Sequence, residues 1–538
     1  MFIRKKTTQK NPNTYIQLVE SYREDGKPRQ RVVKHIGTAI NDEQLKHLLK
    51  LAEQVIQLYS NNATETQVDD LIRKELSILQ GSRSDVTNCQ LIQKCTKSIH
   101  DIYGNIFNKI GLDQIISSKS NYSDVLKDIV MARIASPSSK NKACKILEET
   151  FNISHSLNSI YRTMDKLDDN CINLMQKKIS EYNKNLVNGK INVLFYDATT
   201  LYFESFTSDE LKCLGYSKDC KFNQPQVVLG LLTTEEGLPL GYQLFPGNMY
   251  EGHTLISAIH YWKKLYPEQS FVLVADSGML NGVNLEYLEQ ENIDYIVCAR
   301  LKNLPQSIKT EILERTNDVR NKENSFFDLN FKTRRLVVSY KLERAKKDQF
   351  DREKAINALR KKLGKSKNPA TLISNYGYKK YITIGSGSKI SLNEEKIDED
   401  MVWDGLHGLI TNLKKEDAKT IYGHYRNLYQ IEDAFRINKS DLKIRPVFHW
   451  TPERIKAHIA ISYMAYSCYK AVEYIVNRKE KLYSHRQIRE HLMKAEAYIL
   501  EEKVTRIRFF SPFKISNDVR FIYQAMGVVP EEATYRMA

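Results

Sequence analysis

Ile191–Ser205, INVLFYDATTLYFES, followed by Gln224–Asn248, QPQVVLGLLTTEEGLPLGYQLFPGN, is the part of the chain that decides the fold. Apolar and β-branched runs broken by Gly- and Pro-bearing turns read as three strands, the second and third joined at Glu235-Glu236-Gly237. Then the rhythm changes. A helix is expected over HTLISAIHYWKKLY (His253–Tyr266), a buried-type strand in SFVLVADSG, a helix around Val283 to Gln290, and a strand in DYIVCARL (Asp294–Leu301). Three antiparallel-looking strands followed by strands that alternate with helices predict a mixed α/β sheet.

Two of these strands end alike, VLFY leading into Asp197 and FVLVA into Asp276. A buried apolar strand delivers the residue at its end to the sheet edge with little positional freedom, which is what a catalytic constellation requires. An Asp after a strand is also a common turn former or helix cap, and DSGMLNG after Asp276 fits that reading.

A third carboxylate comes from Tyr422–Arg445, YGHYRNLYQIEDAFRINKSDLKIR. Wound as one α-helix at about 100° per residue, it places Ile421, Tyr425, Leu428, Ile431 and Phe435 on a single apolar stripe. Glu432 then lies only about 40° from the middle of that stripe and Asp433 roughly 140° away. Lys439 returns to the face of Glu432. A carboxylate aimed at a core must be paired, hydrogen-bonded or holding a metal. Three carboxylates together could hold two Mg²⁺ ions, hard cations that prefer carboxylate oxygen and keep water positions open.

The remaining chain frames this core. The alternation in TYIQLVESYRED and KPRQRVVKHIG predicts an N-terminal hairpin turning at Glu24-Asp25-Gly26, with Lys27, Arg29, Arg31 and Lys34 on its second strand. Those cations suit either an edge strand protected from aggregation or a nucleic-acid-binding ribbon. Residues 42 to 79 are helical in spacing, and residues 90 to 187 read as a run of helices. Within that run, NKACKILEETFNISHSLNSIYRTMDKL has the pattern of helix, turn and helix, capped near Ser154 or Ser156. After Leu301 the α/β rhythm stops for a highly charged interval with strand-like RRLVVSY and KYITIGSGSKISL around a basic helix, and resumes at LHGLITN. So long an interval reads as an inserted domain. Residues from Thr451 on read as a long helix, a second helix over SHRQIREHLMKAEAYI, and a basic tail.

With 538 residues, 41% apolar and 27% charged, the chain reads as an ordinary multi-domain globular protein. Lys and Arg (81) exceed Asp and Glu (65), for a net charge of +16, which favours a polyanionic partner, nucleic acid before membrane. There is no apolar run of membrane-spanning length and no secretory pattern at the start, so an intracellular protein is expected. The eight cysteines form no CxxC pair, so reduced thiols and no zinc site are expected. LGKSK at Leu363–Lys367 is not a phosphate loop, which needs Gly where Leu359 stands.

The order Asp197, Asp276, long insertion, and Glu432 in a helix with Tyr425 and Lys439 resembles the DDE transposases of bacterial insertion sequences. TYIQLVESYRE, YDATTLYFES, GLPLGYQLFPGN, VLVADSGM, WDGLHGLITN and YRNLYQIEDAFRINKSDLKIRPVFHW all carry the resemblance, which extends over the whole chain. It implies a ribonuclease H-like α/β core interrupted by a β-rich insertion, preceded by the hairpin and a helical DNA-binding region and followed by a helical C-terminal region. The implied divisions are 1–80, 81–187, 188–301, 302–402, 403–478 and 479–538. It also implies catalysis and metal binding by Asp197, Asp276 and Glu432, with two Mg²⁺ or Mn²⁺ ions. The implied reaction is cleavage at terminal inverted repeats and strand transfer into target DNA by a homodimer on paired ends.

The family's helix signature is Tyr, Arg three later, Glu four after that and Lys seven further on. It is met at Tyr425, Glu432 and Lys439, but Leu428 stands at the Arg. Arg426 and Arg436 are the available substitutes for a phosphate clamp. Trp403 and His407 are candidates for holding a flipped base, though Trp403 reads first as a core position. Leu428 leaves open a DNA-binding protein without catalysis, and paired carboxylates a glycosidase, which the basic charge disfavours.

Overall fold

The structure, a computed structural model, describes residues 1–8, 11–24, 26–40, 42–61, 63–79, 89–116, 121–189, 191–204, 207–216, 223–267, 269–276, 278, 282–320, 324–365, 380–384 and 390–537. Two compact units divide the chain: residues 1–106, 124–161 and 475–538 form one, and residues 107–123 and 162–474 the other.

In the first unit, β1 (Phe2–Thr8), β2 (Asn11–Glu24) and β3 (Lys27–Ala39) form an antiparallel sheet in sequence order. Of the expected turn, Asp25 lies outside the described residues. Glu24 pairs with Lys27, and Gly26 takes φ 75, a left-handed conformation that a residue without Cβ adopts at no steric cost. The hairpin gains a third strand because FIRKKTT alternates and pairs in register from Phe2↔Val19. Helices α1 (Asp42–Ser60) and α2 (Glu65–Leu79) cover one face, burying Leu48, Leu51, Val55 and Val68 against Ile16, Leu18 and Ile36. Of the basic residues on β3, Arg29 pairs with Glu24, Arg31 with Glu20, and Lys34 with Glu65 and Asp69. Their charge is therefore largely answered within the unit.

The strand β4 (Cys89–Cys95) precedes helices α3 (Ser98–Ile110), α4 (Tyr122–Ala135), α5 (Lys140–Phe151), α6 (Leu157–Met164) and α7 (Asp169–Leu186). The helix–turn–helix pattern is realised by α5 and α6. Ser156 Oγ accepts the Ser159 N–H at 3.1 Å and so caps α6.

The second unit is built on an eight-stranded sheet. Its strands are β5 (Val193–Tyr202), β6 (Gln226–Thr234), β7 (Pro239–Pro246), β8 (Val272–Ala275), β9 (Asp294–Ala299), β10 (Asn324–Phe331), β11 (Arg334–Lys341) and, beyond two three-residue strands β12 (Ile382–Ile384) and β13 (Ile390–Leu392), β14 (Leu406–Thr411). The order is β10-β11-β14-β9-β8-β5-β6-β7. β5, β6 and β7 are antiparallel neighbours, while β8 and β9 run parallel to β5. This is the mixed ribonuclease H-like arrangement. Helices α8 (Thr254–Leu265) and α9 (Gly282–Gln290) bury Leu255, Trp262 and Leu285 in the cluster that also takes Leu194, Tyr196, Ala198 and Ala275 from the strands.

The interval after Leu301 differs from a separate β-rich domain. RRLVVSY pairs with LHGLIT, as Val338↔Gly408 and Leu336↔Ile410, so β10 and β11 extend the core sheet. Their apolar residues are buried in the core's own cluster, which a self-contained insertion would not allow. Helix α10 (Gln306–Val319) leads into this hairpin. The rest, α11 (Leu342–Lys365), the β12–β13 pair and α12 (Glu394–Met401), has a small core of Ile356, Tyr381 and Ile397.

The helices α13 (Ala418–Arg426), α14 (Tyr429–Arg436) and the long α15 (Pro452–Asn477) follow. No helix among the described residues is long and apolar enough to cross a membrane.

The C-terminal residues, expected as helical, are mixed. Helices α16 (His485–Met493) and α17 (Asn517–Met526) alternate with β15 (Ala497–Glu502), β16 (Arg508–Pro512) and β17 (Tyr535–Arg536) in a sheet of order β17-β16-β15-β4. AYI, read as the end of a helix, is strand because Ala497 and Ile499 alternate inward and meet Cys95 and Phe510.

Candidate active site

The parallel register of β5 and β8 pairs Tyr196 with Ala275. The next residues are Asp197, which lies within β5 rather than at its end as expected, and Asp276, just past β8; they stand side by side on neighbouring strands, about 4.8 Å apart in backbone. Since Tyr196 and Ala275 point into the cluster under α8 and α9, period-two alternation sends the carboxylates to the opposite face. That face is covered by α13, which packs over β8 and β9, and by α14, which packs over β5 and β6. Asp197 is half-buried and its Oδ1 accepts the Ala198 N–H at 2.7 Å; Asp276 is exposed.

The register extends one strand further. Ala275 pairs with Val297, so Cys298 lies beside Asp276. The Cys298 thiol is 3.5 Å from His407 Nε2, and the His407 ring meets that of Tyr425 at 5.1 Å. Burial holds the Tyr425 phenol well above the ordinary range, and Cys298, Asp276 and Glu432 add to the shift. Tyr425 is thus the residue on which the fields of Asp276 and Glu432 meet. Burial likewise pushes His407 down to about 4, with Arg344 and Lys341 acting in the same direction and Asp276 against it.

Glu432 is exposed rather than aimed at a core. The reason is a break in what the apolar stripe suggested was one helix. Between α13 and α14, Leu428, Gln430 and Ile431 donate to Tyr425, Asn427 and Leu428, a tightened i to i−3 pattern that changes the angular phase of everything downstream. Leu428 is carried inward to 6% exposure, a position unsuited to a phosphate-binding Arg. The break is held from outside: Glu235, in the β6–β7 turn, accepts Asn427 Nδ2 at 2.7 Å and lies 3.2 Å from His424 Nδ1.

After α14 the chain makes a π-helical turn, Ile437–Asp441. It delivers Lys439, whose ammonium donates to Thr199 Oγ1. Thr199 lies two residues beyond Asp197 on the same strand and so on the same face. The segment beyond is tied to β5, Val447 N–H donating to the Tyr202 carbonyl at 3.1 Å. Of the other expected contacts, Arg426 is exposed and Arg436 is exposed with its guanidinium on Asp433. Trp403 is half-buried and packs against the cluster that holds Tyr196 and Ala275. The residues 277 and 279–281, where a turn or cap after Asp276 was expected, lie outside the described residues.

Sequence reasoning missed Glu235, Asn427, His424, Thr199 and Cys298. The signal for Cys298 was available: it follows VLVAD's parallel partner DYIV by one position. Glu235 carried no signal, being one of two acids in an ordinary hairpin turn.

Among the described residues, no three His, Cys, Asp or Glu side chains gather closely enough to hold a metal ion. The two adjacent aspartates, one within β5 and one just past β8, do fit a hard divalent ion, which is commonly held by one or two carboxylates and keeps several waters.

Residues 3–67 match the N-terminal domain of IS1634 family transposases, and residues 188–468 match the transposase DDE domain. No curated protein matches. Among solved structures, the piggyBac transposase synaptic complex with hairpin DNA is 10% identical over 74% of this chain and 77% of that one, at a TM-score of 0.38. The Mos1 transposase paired-end complex with left transposon end is 14% identical over 46% of this chain and 72% of that one, at a TM-score of 0.15. Because the DDE domain match spans more than half the chain and contains Asp197, Asp276 and Glu432, with an insertion-sequence transposase domain ahead of it, this chain belongs to the DDE transposases.

Proposed function

We propose that this transposase cuts DNA at the terminal inverted repeats of its insertion sequence and joins the freed 3′-hydroxyls to target DNA, using Mg²⁺ or Mn²⁺ at Asp197 and Asp276, with Glu432 as the third acidic residue. The observation that carries this reading is the register that sets Asp197 beside Asp276 on parallel strands. Two divalent ions, when bound, activate a water or 3′-hydroxyl and stabilise the leaving oxygen of an in-line displacement.

The chain's own residues then orient the reacting strand. Lys439 places a cation two residues from Asp197 on the same face, where it would meet a phosphate near the scissile bond. The Tyr425 carbonyl accepts the Leu428 N–H in the tightened turn that precedes the helix carrying Glu432. Arg426 and Arg436 present charge from exposed positions on the same helix pair, and Arg436 would have to leave Asp433 to reach a phosphate. Trp403, packed against the apolar cluster on the face away from the carboxylates, serves the core in this reading. Residues up to about 187 would recognise the ends, and a homodimer would hold two ends together.

Asp197→Asn, Asp276→Asn and Glu432→Gln test the assignment on duplex DNA carrying one inverted repeat. Each is expected to abolish cleavage while retaining binding. Normal cutting by any of the three removes that residue from the site.

A further inference from the structure

The N-terminal sheet is covered over only half its length. Strand β1 pairs with β2 from Asn11 to Val19, and α1 and α2 bury Ile16, Leu18 and Ile36 in that same half. Beyond Val19, β2 and β3 go on as a ribbon of two strands, paired from Glu20↔Arg31 to Glu24↔Lys27. Every described residue from Ser21 to Val32 is exposed. The ribbon therefore projects from its unit with water on both faces, about 17 Å from Val19 to Glu24 at the rise of a strand. Such a ribbon buries little surface and is held only by its ladder and its cross-strand pairs.

Its two faces differ. Residues directly opposed in an antiparallel pair share a face. Glu20, Arg31, Tyr22, Arg29, Glu24 and Lys27 therefore lie on one. Ser21, Gln30, Arg23 and Pro28 lie on the other. The first face is closed on itself: Arg31 pairs with Glu20 at 2.7 Å, Arg29 with Glu24 at 2.8 Å, and the Arg31 guanidinium stands 6.0 Å from the Tyr22 ring. The second face carries no acid. Among the described residues, no side chain pairs with the Arg23 guanidinium or the Gln30 amide, both of which face water.

Arginine and glutamine are the side chains whose paired polar atoms match the major-groove edges of guanine and adenine. That groove, about 12 Å wide and 8.5 Å deep, admits a two-stranded ribbon, and this one is longer than the groove is deep. Lys27, exposed at the tip, adds a cation for the sugar–phosphate backbone. The basic residues that mark β3 in the sequence are thus not the ones free to read bases, since Arg29, Arg31 and Lys34 are engaged by acids.

We infer that the ribbon from Ser21 to Val32 enters the major groove of the terminal inverted repeat, with Arg23 and Gln30 contacting base edges. The inference rests on the reading of residues up to about 187 as recognising the ends, and not on the catalytic assignment.

The test compares full-length wild type, Arg23→Ala and Gln30→Ala on a duplex carrying one inverted repeat and on the same duplex with the repeat scrambled. Each variant is expected to bind the repeat about tenfold more weakly, and Gln30→Ala, which removes no charge, should bind the scrambled duplex as wild type does. Methylating guanine N7, which faces the major groove, should block wild type at a guanine of the repeat and have no effect at that guanine on Arg23→Ala. Both variants should melt with wild type, because both positions are exposed, so weaker binding is not a loss of fold. Wild-type affinity for the repeat in both variants overturns the inference. Losses of equal size on the two duplexes overturn it as well, the ribbon then touching phosphates alone. A changed sedimentation coefficient with unchanged DNA binding makes the ribbon a contact between copies of the chain and overturns it too. Should wild type fail to distinguish the repeat from the scrambled duplex, the reading of end recognition fails and takes the inference with it; should wild type distinguish them and both variants match it, only the ribbon assignment fails.

Discussion

Asn427 donates its side-chain amide to Glu235 at 2.7 Å, joining the break between α13 and α14 to the turn between β6 and β7. That bond and the neighbouring His424 contact fix where the helix restarts, and hence the direction in which Glu432 leaves it. Glu235→Ala strands a partly buried amide and an imidazole, at a cost of about 1–3 kcal/mol. It is expected to slow single-turnover cleavage at least tenfold with little change in DNA affinity. Glu235→Gln keeps an acceptor for Asn427 and should recover part of the rate. An unchanged rate in Glu235→Ala would show that the break holds its shape without this anchor.

The same contact gives a pH dependence. Glu235 raises the His424 pKa above its usual value, chiefly by hydrogen bonding, and His424 lowers that of Glu235. The pair's stabilisation is therefore fully present below the unfolded imidazole value of about 6.5, and is lost as pH rises through the higher folded value. At the acid end it fades as pH falls through the depressed carboxylate value. Thermal denaturation of wild type against His424→Gln from pH 5 to 9 should show a difference that is larger at pH 6 than at pH 9. A constant difference contradicts the assignment.

Lys439 reaches the face of Asp197 through Thr199. Lys439→Met should reduce cleavage by about a hundredfold and lower the salt slope of DNA binding by about one, as for a lost phosphate contact. Thr199→Val removes only the hydroxyl that positions the ammonium, and should cost less in rate and nothing in the slope. A Thr199→Val defect as large as that of Lys439→Met would mean that the lysine serves the strand rather than DNA.

On the far side of the sheet, Tyr196 donates to Thr254 Oγ1 at 2.6 Å, and a Cβ at Gly230 would meet the Tyr196 hydroxyl. Tyr196→Phe should cost about 1 kcal/mol of stability, and Gly230→Ala about 1–3 kcal/mol by overpacking. The double variant should cost less than the sum of the two single variants, because the clashing oxygen has gone. Strict additivity, measured by chemical denaturation, contradicts the packing described.

The sheet was legible because its strands are apolar runs of the right length with turn residues between them, and Asp197 and Asp276 were legible as the residues those runs deliver. Glu432 was found on a mistaken premise. One continuous helix puts it near a core, whereas the tightened turn at Asn427 and Leu428 rotates it to solvent. The side-chain bond that holds this break comes from Glu235, 192 positions away in sequence. No periodicity in a single segment records such a contact. RRLVVSY was recognised as a strand but assigned to the insertion, because strand pairing across some seventy residues leaves no mark in local pattern either.

The central claim is that Asp197 and Asp276 share a divalent ion beside DNA. Its most direct test is Mn²⁺ binding to the full-length protein on inverted-repeat DNA, followed by electron paramagnetic resonance, for wild type, Asp197→Asn and Asp276→Asn. The account predicts protein-bound Mn²⁺ in wild type and its loss in both variants, together with cleavage. Undiminished Mn²⁺ binding in either variant would contradict it.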